Sequence, residues 1–264
     1  MKITVFTSNQ PRHLALVKKL AAISNQTYAV LECNTVFPGL VSDFFKKTDV
    51  MRDYFENVMR AEKALYGNVD FLPSNVRTLS VKSGDLNKLN KETLEVALSS
   101  DVYIVFGASY IKEWLVDFLV ENKAINIHMG ISPYYRGSSC NFWALYDKKP
   151  EYVGSTIHLL SKGLDSGDML YHALPILNDE DPFLFTMKSV EAAQVSLAQR
   201  INDRTLFDMT PVAQDKGAEI RYTRNADFTD EVASEFLSRG IHNGKLRELY
   251  AAAKKYPLLS PFYF

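Results

Sequence analysis

Three polar side chains in this sequence have the types and the spacing that acyl transfer requires. Asn126 and His128 flank Ile127, and Asp165 follows 37 residues after the histidine. Alternate residues of a β-strand point to the same side, so the amide and the imidazole would share one face. An amide N–H and an imidazolium can stabilise an oxyanion, and a carboxylate can receive a proton from an amine. The trio therefore indicates a site that transfers an acyl group to an amine.

Each of these residues also has a simpler structural interpretation. The polar pair can be a hydrogen-bonded strand end, and Asp165 can be an ordinary turn aspartate. Asp168 is a second candidate carboxylate in the same loop, Gly163–Asp168. His158 fits a structural role better than a catalytic one. The Gly- and Pro-containing loop Met129–Gly137 favours the functional interpretation, because functional residues concentrate on loops at sheet edges.

Strand patterns and helix patterns alternate around the trio. Strands are predicted over Lys2–Thr7, Thr27–Glu32, Val76–Val81, Asp101–Gly107, Ala124–His128, Val153–Leu160 and Asp168–Leu177. Helices are predicted over His13–Ile23, Ser42–Leu65, Lys91–Leu98, Lys112–Val120 and Phe185–Phe207. The alternation predicts an α/β fold, Rossmann-like, with a mostly parallel sheet flanked by helices. The working site of such a sheet lies at the carboxyl ends of its strands, where Gly107 and His128 both fall.

The sequence pattern changes after the helix predicted over Phe185–Phe207. Polar, turn-rich sequence follows, with two helices predicted over Asp230–Ser238 and Lys245–Lys255. We therefore predict a catalytic domain over residues 1–208 and a small C-terminal extension over residues 209–264.

Charge and cysteine content narrow the classes of partner. The 264 residues include 30 Lys and Arg against 31 Asp and Glu, so we expect no nucleic-acid surface dominated by phosphate contacts. Cys33 and Cys140 are far apart and lack metal-ligand spacing. No signal peptide or membrane span is predicted, so we expect a cytoplasmic protein without metal or membrane partners. The aromatic tail Tyr256–Phe264 leaves packing on the core and a homodimer contact as open alternatives.

Three ordered motifs carry a family resemblance. They are NIHMGISPYYRG over 126–137, GSTIH over 154–158 and GLDSGDML over 163–170. Together they resemble the 10-formyltetrahydrofolate-dependent formyltransferases, which include methionyl-tRNA formyltransferase, glycinamide ribonucleotide transformylase and the sugar N-formyltransferases. The resemblance covers about Val102 to Leu170. The chain departs from it at Met129–Ile131, where family members commonly have Ser-Leu-Leu.

The resemblance implies roles for particular residues. Asn126, His128 and Asp165 would be catalytic, and 10-formyltetrahydrofolate would be the cosubstrate that supplies the formyl group. The folate would bind at a strand end and at the motif carboxylate, namely at Phe106, Gly107, Ala108, Ser109, Ile111 and Asp168. Tyr134, Tyr135 and Arg136 would line the acceptor pocket by stacking and phosphate contact. The structural alternatives are a glycine that merely ends a strand and a loop that packs on itself.

Features that the sequence lacks narrow the choice of amine acceptor. The sequence after Phe207 is shorter than the C-terminal barrel of methionyl-tRNA formyltransferase, and the net charge is −1. The turn Phe6–Pro11 lacks the glycines that meet the phosphate of glycinamide ribonucleotide. We therefore favour a nucleotide-linked amino deoxysugar of surface polysaccharide synthesis, such as lipopolysaccharide O-antigen. Methionyl-tRNA, glycinamide ribonucleotide, a formyltetrahydrofolate hydrolase and an inactive binding module remain the alternatives.

Overall fold

The computed structural model describes residues 1–33, 48–254 and 256–264, and these residues are organised around one large sheet. The strands are β1 (Lys2–Ser8), β2 (Gln26–Cys33), β3 (Val76–Lys82), β4 (Val102–Val105), β5 (Ile125–His128), β6 (Tyr135–Gly137), β7 (Ser155–Leu159), β8 (Met169–Leu174), β9 (Arg221–Thr223) and β10 (Phe262–Tyr263). The large sheet has the order β10-β8-β7-β5-β4-β1-β2-β3, and β6 pairs with β9 separately. Strands β1 to β5 run parallel, whereas β7 is antiparallel to both β5 and β8. The predicted mostly parallel α/β fold is confirmed.

Helices cover both faces of the large sheet. They are α1 (Pro11–Ala22), α2 (Asp49–Tyr66), α3 (Lys91–Leu94), α4 (Glu113–Glu121), α5 (Cys140–Tyr146), α6 (Pro182–Asn202), α7 (Asp230–Ser238) and α8 (Asn243–Ala251). Alternation along β1 sends Ile3 and Val5 to the face covered by α1, α2 and α6, and Phe6 to the opposite face under α4. Each fully buried side chain of this size stabilises the fold by about 1.5–3 kcal/mol.

Local signals account for where the longest helix begins and ends. Asp181 accepts hydrogen bonds from the backbone N–H groups of Phe183 and Leu184, and Pro182 occupies the first helical position. The predicted end at Phe207 is wrong, because α6 stops at Asn202. Arg204 adopts φ 68°, in the left-handed region, and this conformation interrupts the helix before a short 3₁₀ turn.

Other boundaries shift in the same way. The predicted helix over Ser42–Leu65 is observed from Asp49, with Thr48 as its cap, and its first predicted residues lie outside the described ranges. The predicted helix over Lys91–Leu98 is shorter, because α3 ends at Leu94 and a separate 3₁₀ turn follows at Ala97–Ser99. Sequence patterns gave no indication of β6, β9 or β10, because strands of two or three residues are too short for a period to show.

The C-terminal residues are built into the rest of the molecule. Strand β10 joins the edge of the large sheet beside β8, and β9 pairs with β6 directly after the loop that follows His128. Phe236 and Leu246 of α7 and α8 share a core cluster with Trp143 of α5. The division after residue 208 remains a prediction. Among the described residues, no helix has the length and apolar sequence that crossing a membrane requires.

Candidate active site

The predicted trio meets at the carboxyl end of β5. Asn126 and His128 lie on that strand, opposite His158 and Thr156 of β7, and the loop between β7 and β8 carries Asp165. Because β7 is antiparallel to β5, the loop after β7 begins beside Ile125, and Asp165 in this loop reaches back to Asn126 and His128.

Asp165 contacts both other members of the trio. One carboxylate oxygen accepts a hydrogen bond from Asn126 Nδ2 at 3.1 Å, and the other lies 3.3 Å from His128 Nδ1. The side chain of His128 is buried, whereas that of Asp165 keeps 18% of its surface exposed. An amide, an imidazole and a carboxylate therefore converge where a small ligand can still approach.

The charges of this cluster are interdependent. Burial opposes protonation of His128, but the neighbouring Asp165 carboxylate and the contact with Cys140 outweigh it, and the pKa of His128 is raised well above its ordinary value. Burial alone would raise the pKa of Asp165, yet the positive His128 and the Asn126 amide lower it below its usual range. Near neutral pH the site therefore holds an imidazolium paired with a carboxylate.

The opposite edge of the imidazole faces the protein interior. The carbonyl oxygen of Tyr135 and the sulfur of Cys140 each lie 3.5 Å from His128 Nε2. A carbonyl only accepts hydrogen bonds, so Nε2 carries a hydrogen. The other nitrogen, Nδ1, faces Asp165, whose side chain is partly exposed.

His158 fixes the amide of Asn126. Its Nδ1 lies 2.8 Å from the backbone carbonyl of Leu159 and therefore carries the ring hydrogen, which leaves Nε2 as an acceptor for Asn126 Nδ2 at 3.0 Å. Burial lowers the pKa of His158 to about 4, so the ring is neutral near pH 7. The structural role expected for this histidine is thus a contact with the trio itself.

The predicted folate-binding segment borders the same end of the sheet. Gly107 is exposed with φ 69°, and Phe106 and Ile111 are buried in the core. Ser109 donates from its N–H and from its hydroxyl to the buried carboxylate of Glu32, at 2.5 and 2.8 Å. Glu32 was missed by the sequence analysis, since a lone acidic residue at a strand end carries no signal.

A hydrogen bond joins the predicted folate segment to the loop that carries Asp165. Tyr110, in the predicted folate segment, donates through its hydroxyl to the backbone carbonyl of Lys162 in the loop that carries Asp165. Asp168 is exposed in that second loop, and its carbonyl accepts the N–H of Leu159. Ala108 is half-buried and packs against the core. The folate roles of these residues remain predictions.

Tyr134, Tyr135 and Arg136, which were predicted to line the acceptor pocket, bond to protein groups. The hydroxyl of Tyr134 donates to a carbonyl of the C-terminal tail, and the buried Tyr135 donates to Asp147 at 3.0 Å. Arg136 forms an ion pair with Glu219 at 3.0 Å. These contacts fit the alternative of a loop that packs on itself and on the extension, and a substrate role remains a prediction.

A cavity of about 280 Å³ borders His128. Its lining is mostly aromatic and aliphatic and comes from distant parts of the chain, namely Arg12, Tyr54, Phe55, Val58, Met129, Gly137, Ser139, Asn141, Phe142, Thr186, Met187, Val190 and Phe228. Among the described lining residues, Arg12 alone carries a permanent positive charge. Its Nη1 forms an ion pair with Glu62 at 2.9 Å. This cavity could not be predicted from the sequence, because no motif joins its lining residues.

Residues 77–201 match the model of the family described as formyl transferase. This stretch, which is just under half of the chain, is similar to the formyl transferases. The resemblance predicted from the motifs is thereby confirmed, and Asn126, His128 and Asp165 all lie within the matched residues. In the described part of the chain, no three His, Cys, Asp or Glu side chains are grouped as metal ligands would be.

Curated relatives of this chain include methionyl-tRNA formyltransferases. That of Caldanaerobacter subterraneus subsp. tengcongensis is 34% identical over 122 residues, which are 46% of this chain and 36% of the relative. That of Listeria welshimeri is 31% identical over 166 residues, which are 61% of this chain and 48% of the relative. The chain thus spans less than half the length of either relative.

Solved structures share the fold of this chain. A 4-N formyltransferase from Francisella tularensis superimposes with a TM-score of 0.54 at 20% identity, over 86% of this chain and 77% of that one. The formyltransferase PseJ from Anoxybacillus kamchatkensis gives a TM-score of 0.50 at 17% identity, over 94% and 97%. At these identities the similarity establishes the Rossmann-like fold.

Proposed function

We propose that this chain is an N-formyltransferase that moves the formyl group of 10-formyltetrahydrofolate to a primary amine. The observation that carries the proposal is the contact of one carboxylate, Asp165, with both Asn126 and His128. The acceptor that we favour is the amino group of a nucleotide-linked amino deoxysugar.

The geometry supports a different catalytic role for each of the three side chains. As the amine attacks the formyl carbon, the formyl oxygen takes over the amide hydrogen that Asn126 now donates to Asp165. The His128 imidazolium is the second donor to this oxyanion, and one such donor contributes about 3–4 kcal/mol to transition-state stabilisation. Asp165, directly or through a water, receives the amine proton. That proton then leaves with the folate nitrogen when its bond to the formyl carbon breaks.

The cavity beside His128 supports an acceptor with a compact, weakly charged ring. Tyr54, Phe142 and Phe228 offer apolar faces, and the charge of Arg12 is already balanced by Glu62. A sugar ring can stack on such faces, whereas a phosphate inside the cavity would lack an uncompensated cation. The nucleotide part of the acceptor would therefore extend outside it.

Names of similar proteins support two different acceptors. The PseJ structure contains UDP-4,6-dideoxy-4-formamido-L-AltNAc and tetrahydrofolate, and an N-formyltransferase from Helicobacter canadensis contains folinic acid and dTDP-3-aminofucose. The curated relatives are methionyl-tRNA formyltransferases. We retain methionyl-tRNA as the second candidate acceptor.

The acceptor is tested by mass spectrometry. The protein is incubated with 10-formyltetrahydrofolate and a panel of nucleotide-linked 3-amino and 4-amino deoxysugars, with charged methionyl-tRNA and glycinamide ribonucleotide in parallel. We expect one amino sugar to gain the mass of one formyl group. Formylation of the tRNA alone would overturn the favoured acceptor. Release of formate from 10-formyltetrahydrofolate without any acceptor would identify a hydrolase.

The catalytic roles are tested by substitution within the trio. We expect His128→Asn and Asp165→Asn each to lower kcat by about 10²–10³-fold, because each removes a group that acts on charge formed in the transition state. Steady-state rates with the formylated acceptor measure this loss. Asp208→Asn, an exposed change outside the site, is the control. Near-native turnover of either trio variant would refute the assignment.

A further inference from the structure

The backbone of Asp165 has an unusual conformation. Its φ is 45°, in the left-handed region that residues with a side chain seldom adopt. Such a conformation persists only where neighbouring groups fix it. The carboxylate of Asp165 reaches Asn126 and His128 from this conformation, so whatever fixes the backbone also fixes the trio.

The side chain of Gln214 grips the backbone on both sides of Ser166. Its Nε2 lies 2.9 Å from the carbonyl oxygen of Asp165 and 2.9 Å from that of Gly167, and it donates to both. Its Oε1 is buried and has no hydrogen-bond partner among the described residues. The amide orientation is therefore set by the two donated bonds, since the reverse orientation would place oxygen against two carbonyl oxygens.

The segment that carries Gln214 is itself held against the loop. Val212 and Met169 exchange backbone hydrogen bonds, each 2.8 Å long, at an antiparallel bridge. This bridge lies at the end of the loop, where β8 begins. The bridge thus fixes the backbone close to Gln214, from which its side chain reaches the loop. Gln214 lies beyond residues 77–201, which match the formyl transferase family.

We propose that Gln214 is a positioning residue, which holds the backbone of Asp165 in the conformation that brings its carboxylate to Asn126 and His128. The proposal rests on the proposed function, because the residue that Gln214 positions is the proposed catalytic carboxylate. Within the described residues, the side-chain hydrogen bonds of Gln214 go to the backbone of the loop, so it acts through Asp165 and not on the substrate.

The decisive measurement is the titration of His128 by NMR in Gln214→Met. Methionine keeps the length of the side chain and removes both N–H donors. When Asp165 is released, His128 loses its nearby negative charge, and we expect the pKa of His128 to fall by about one unit or more. We expect kcat to fall about tenfold while the KM for the folate stays unchanged. Gln214→Glu, which presents a carboxylate to the same carbonyl oxygens, should also lower kcat.

The control is Lys216→Met, an exposed change in the same segment, which should leave the titration and kcat unchanged. A purely structural role for Gln214 would lower the melting temperature without moving the pKa of His128, and that result would overturn the proposal. The titration needs no turnover. A wild-type protein without formyl transfer, whose His128 still responds to Gln214→Met, would therefore refute the proposed function and leave the positioning intact.

Discussion

Asn126 has two amide hydrogens, and the structure uses both of them. One is donated to the neutral ring of His158 and the other to Asp165. In the proposed mechanism only the second is redirected, because no other donor among the described contacts can replace the first at His158. The neutral His158 thus fixes the orientation of the Asn126 amide while the other amide hydrogen changes partner.

Replacing His158 with leucine tests this dependence. We expect kcat to fall about tenfold, since the loss of one buried hydrogen bond of about 1–1.5 kcal/mol lets the amide turn away. The KM for the folate should be unchanged. Steady-state kinetics measure both, with His242→Leu, an exposed histidine at the start of α8, as the comparison. An unaltered kcat would show that Asn126 holds its orientation without the histidine.

Position 107 requires glycine for two reasons, its backbone conformation and the close approach of His13. Its φ is 69°, and a Cβ there would lie 2.2 Å from Nε2 of the buried His13. We expect Gly107→Ala to lower the free energy of unfolding by about 2–4 kcal/mol, from left-handed strain and overpacking together. Urea denaturation measures the change.

A matched glycine separates these two causes. Gly84 has φ 87°, but a Cβ there meets nothing within 4 Å. Gly84→Ala should therefore cost only the backbone part, about 1 kcal/mol. Equal losses for the two variants would mean that His13 moves aside freely.

At the scale of elements, prediction succeeded where a hydrophobic pattern was long. All four residues of β4 are buried, as a continuous apolar run indicates, and β5 ends at His128 as predicted. The three-residue strands β6 and β9 were missed, because they pair only once distant segments have met. The cavity lining was missed for the same reason, as Tyr54, Phe142 and Phe228 belong to three separate segments.

An ion pair ties β9 to α5 and offers a test of this packing. Arg221 donates to both carboxylate oxygens of Asp147 at 2.8 and 2.7 Å, and its guanidinium lies 4.7 Å from the Trp143 ring centroid. Lysine cannot reproduce the paired donors or the stacking. We expect Arg221→Lys to lower the free energy of unfolding by about 1–2 kcal/mol in urea denaturation.

A second arginine provides the control for that experiment. Arg247 pairs with Asp179 at 3.0 Å, but both side chains are mostly exposed. Arg247→Lys should change the stability by less than about 0.5 kcal/mol, because solvent screens such a pair. If Arg221→Lys were equally mild, β9 would be held mainly by its backbone pairing with β6.

At the scale of the whole molecule, the sheet class was predictable and the strand order was not. Alternating patterns indicate that strands and helices succeed one another, but they do not say that β1 lies between β4 and β2. The order depends on which apolar faces pack together after collapse. The same limit applies to β10, whose two residues join the far edge of the sheet.

Buried neutral histidines give the molecule a predictable response to acid. Burial lowers the pKa of His158 and of His172 to about 4, below the ordinary value near 6.5 that each has when unfolded. The unfolded chain therefore binds more protons between these values, and stability falls as the pH decreases from about 6.5 to 4. We expect a slope of up to about 1.4 kcal/mol per pH unit for each histidine.

Urea denaturation at a series of pH values between 7 and 4 measures this slope. His172 accepts the N–H of Leu259 and donates to the carbonyl of Ser132 at 2.8 Å, so it joins the tail to the loop after His128. His172→Gln should reduce the slope even though it also lowers the stability. A wild-type stability that is constant over this range would contradict the expected protonation.

The hydrogen bonds from Gln214 to the Asp165 loop have a consequence for folding during synthesis. Ribosomal synthesis proceeds from the N-terminus, so residues 126–168 leave the exit tunnel before Gln214 does. A nascent chain that already exposes Asn126, His128 and Asp165 still lacks the two hydrogen bonds to the loop and the pairing of Val212 with Met169. With the positioning that we propose for Gln214, the Asp165 carboxylate reaches Asn126 and His128 late in translation, after the segment beyond residue 201 has emerged.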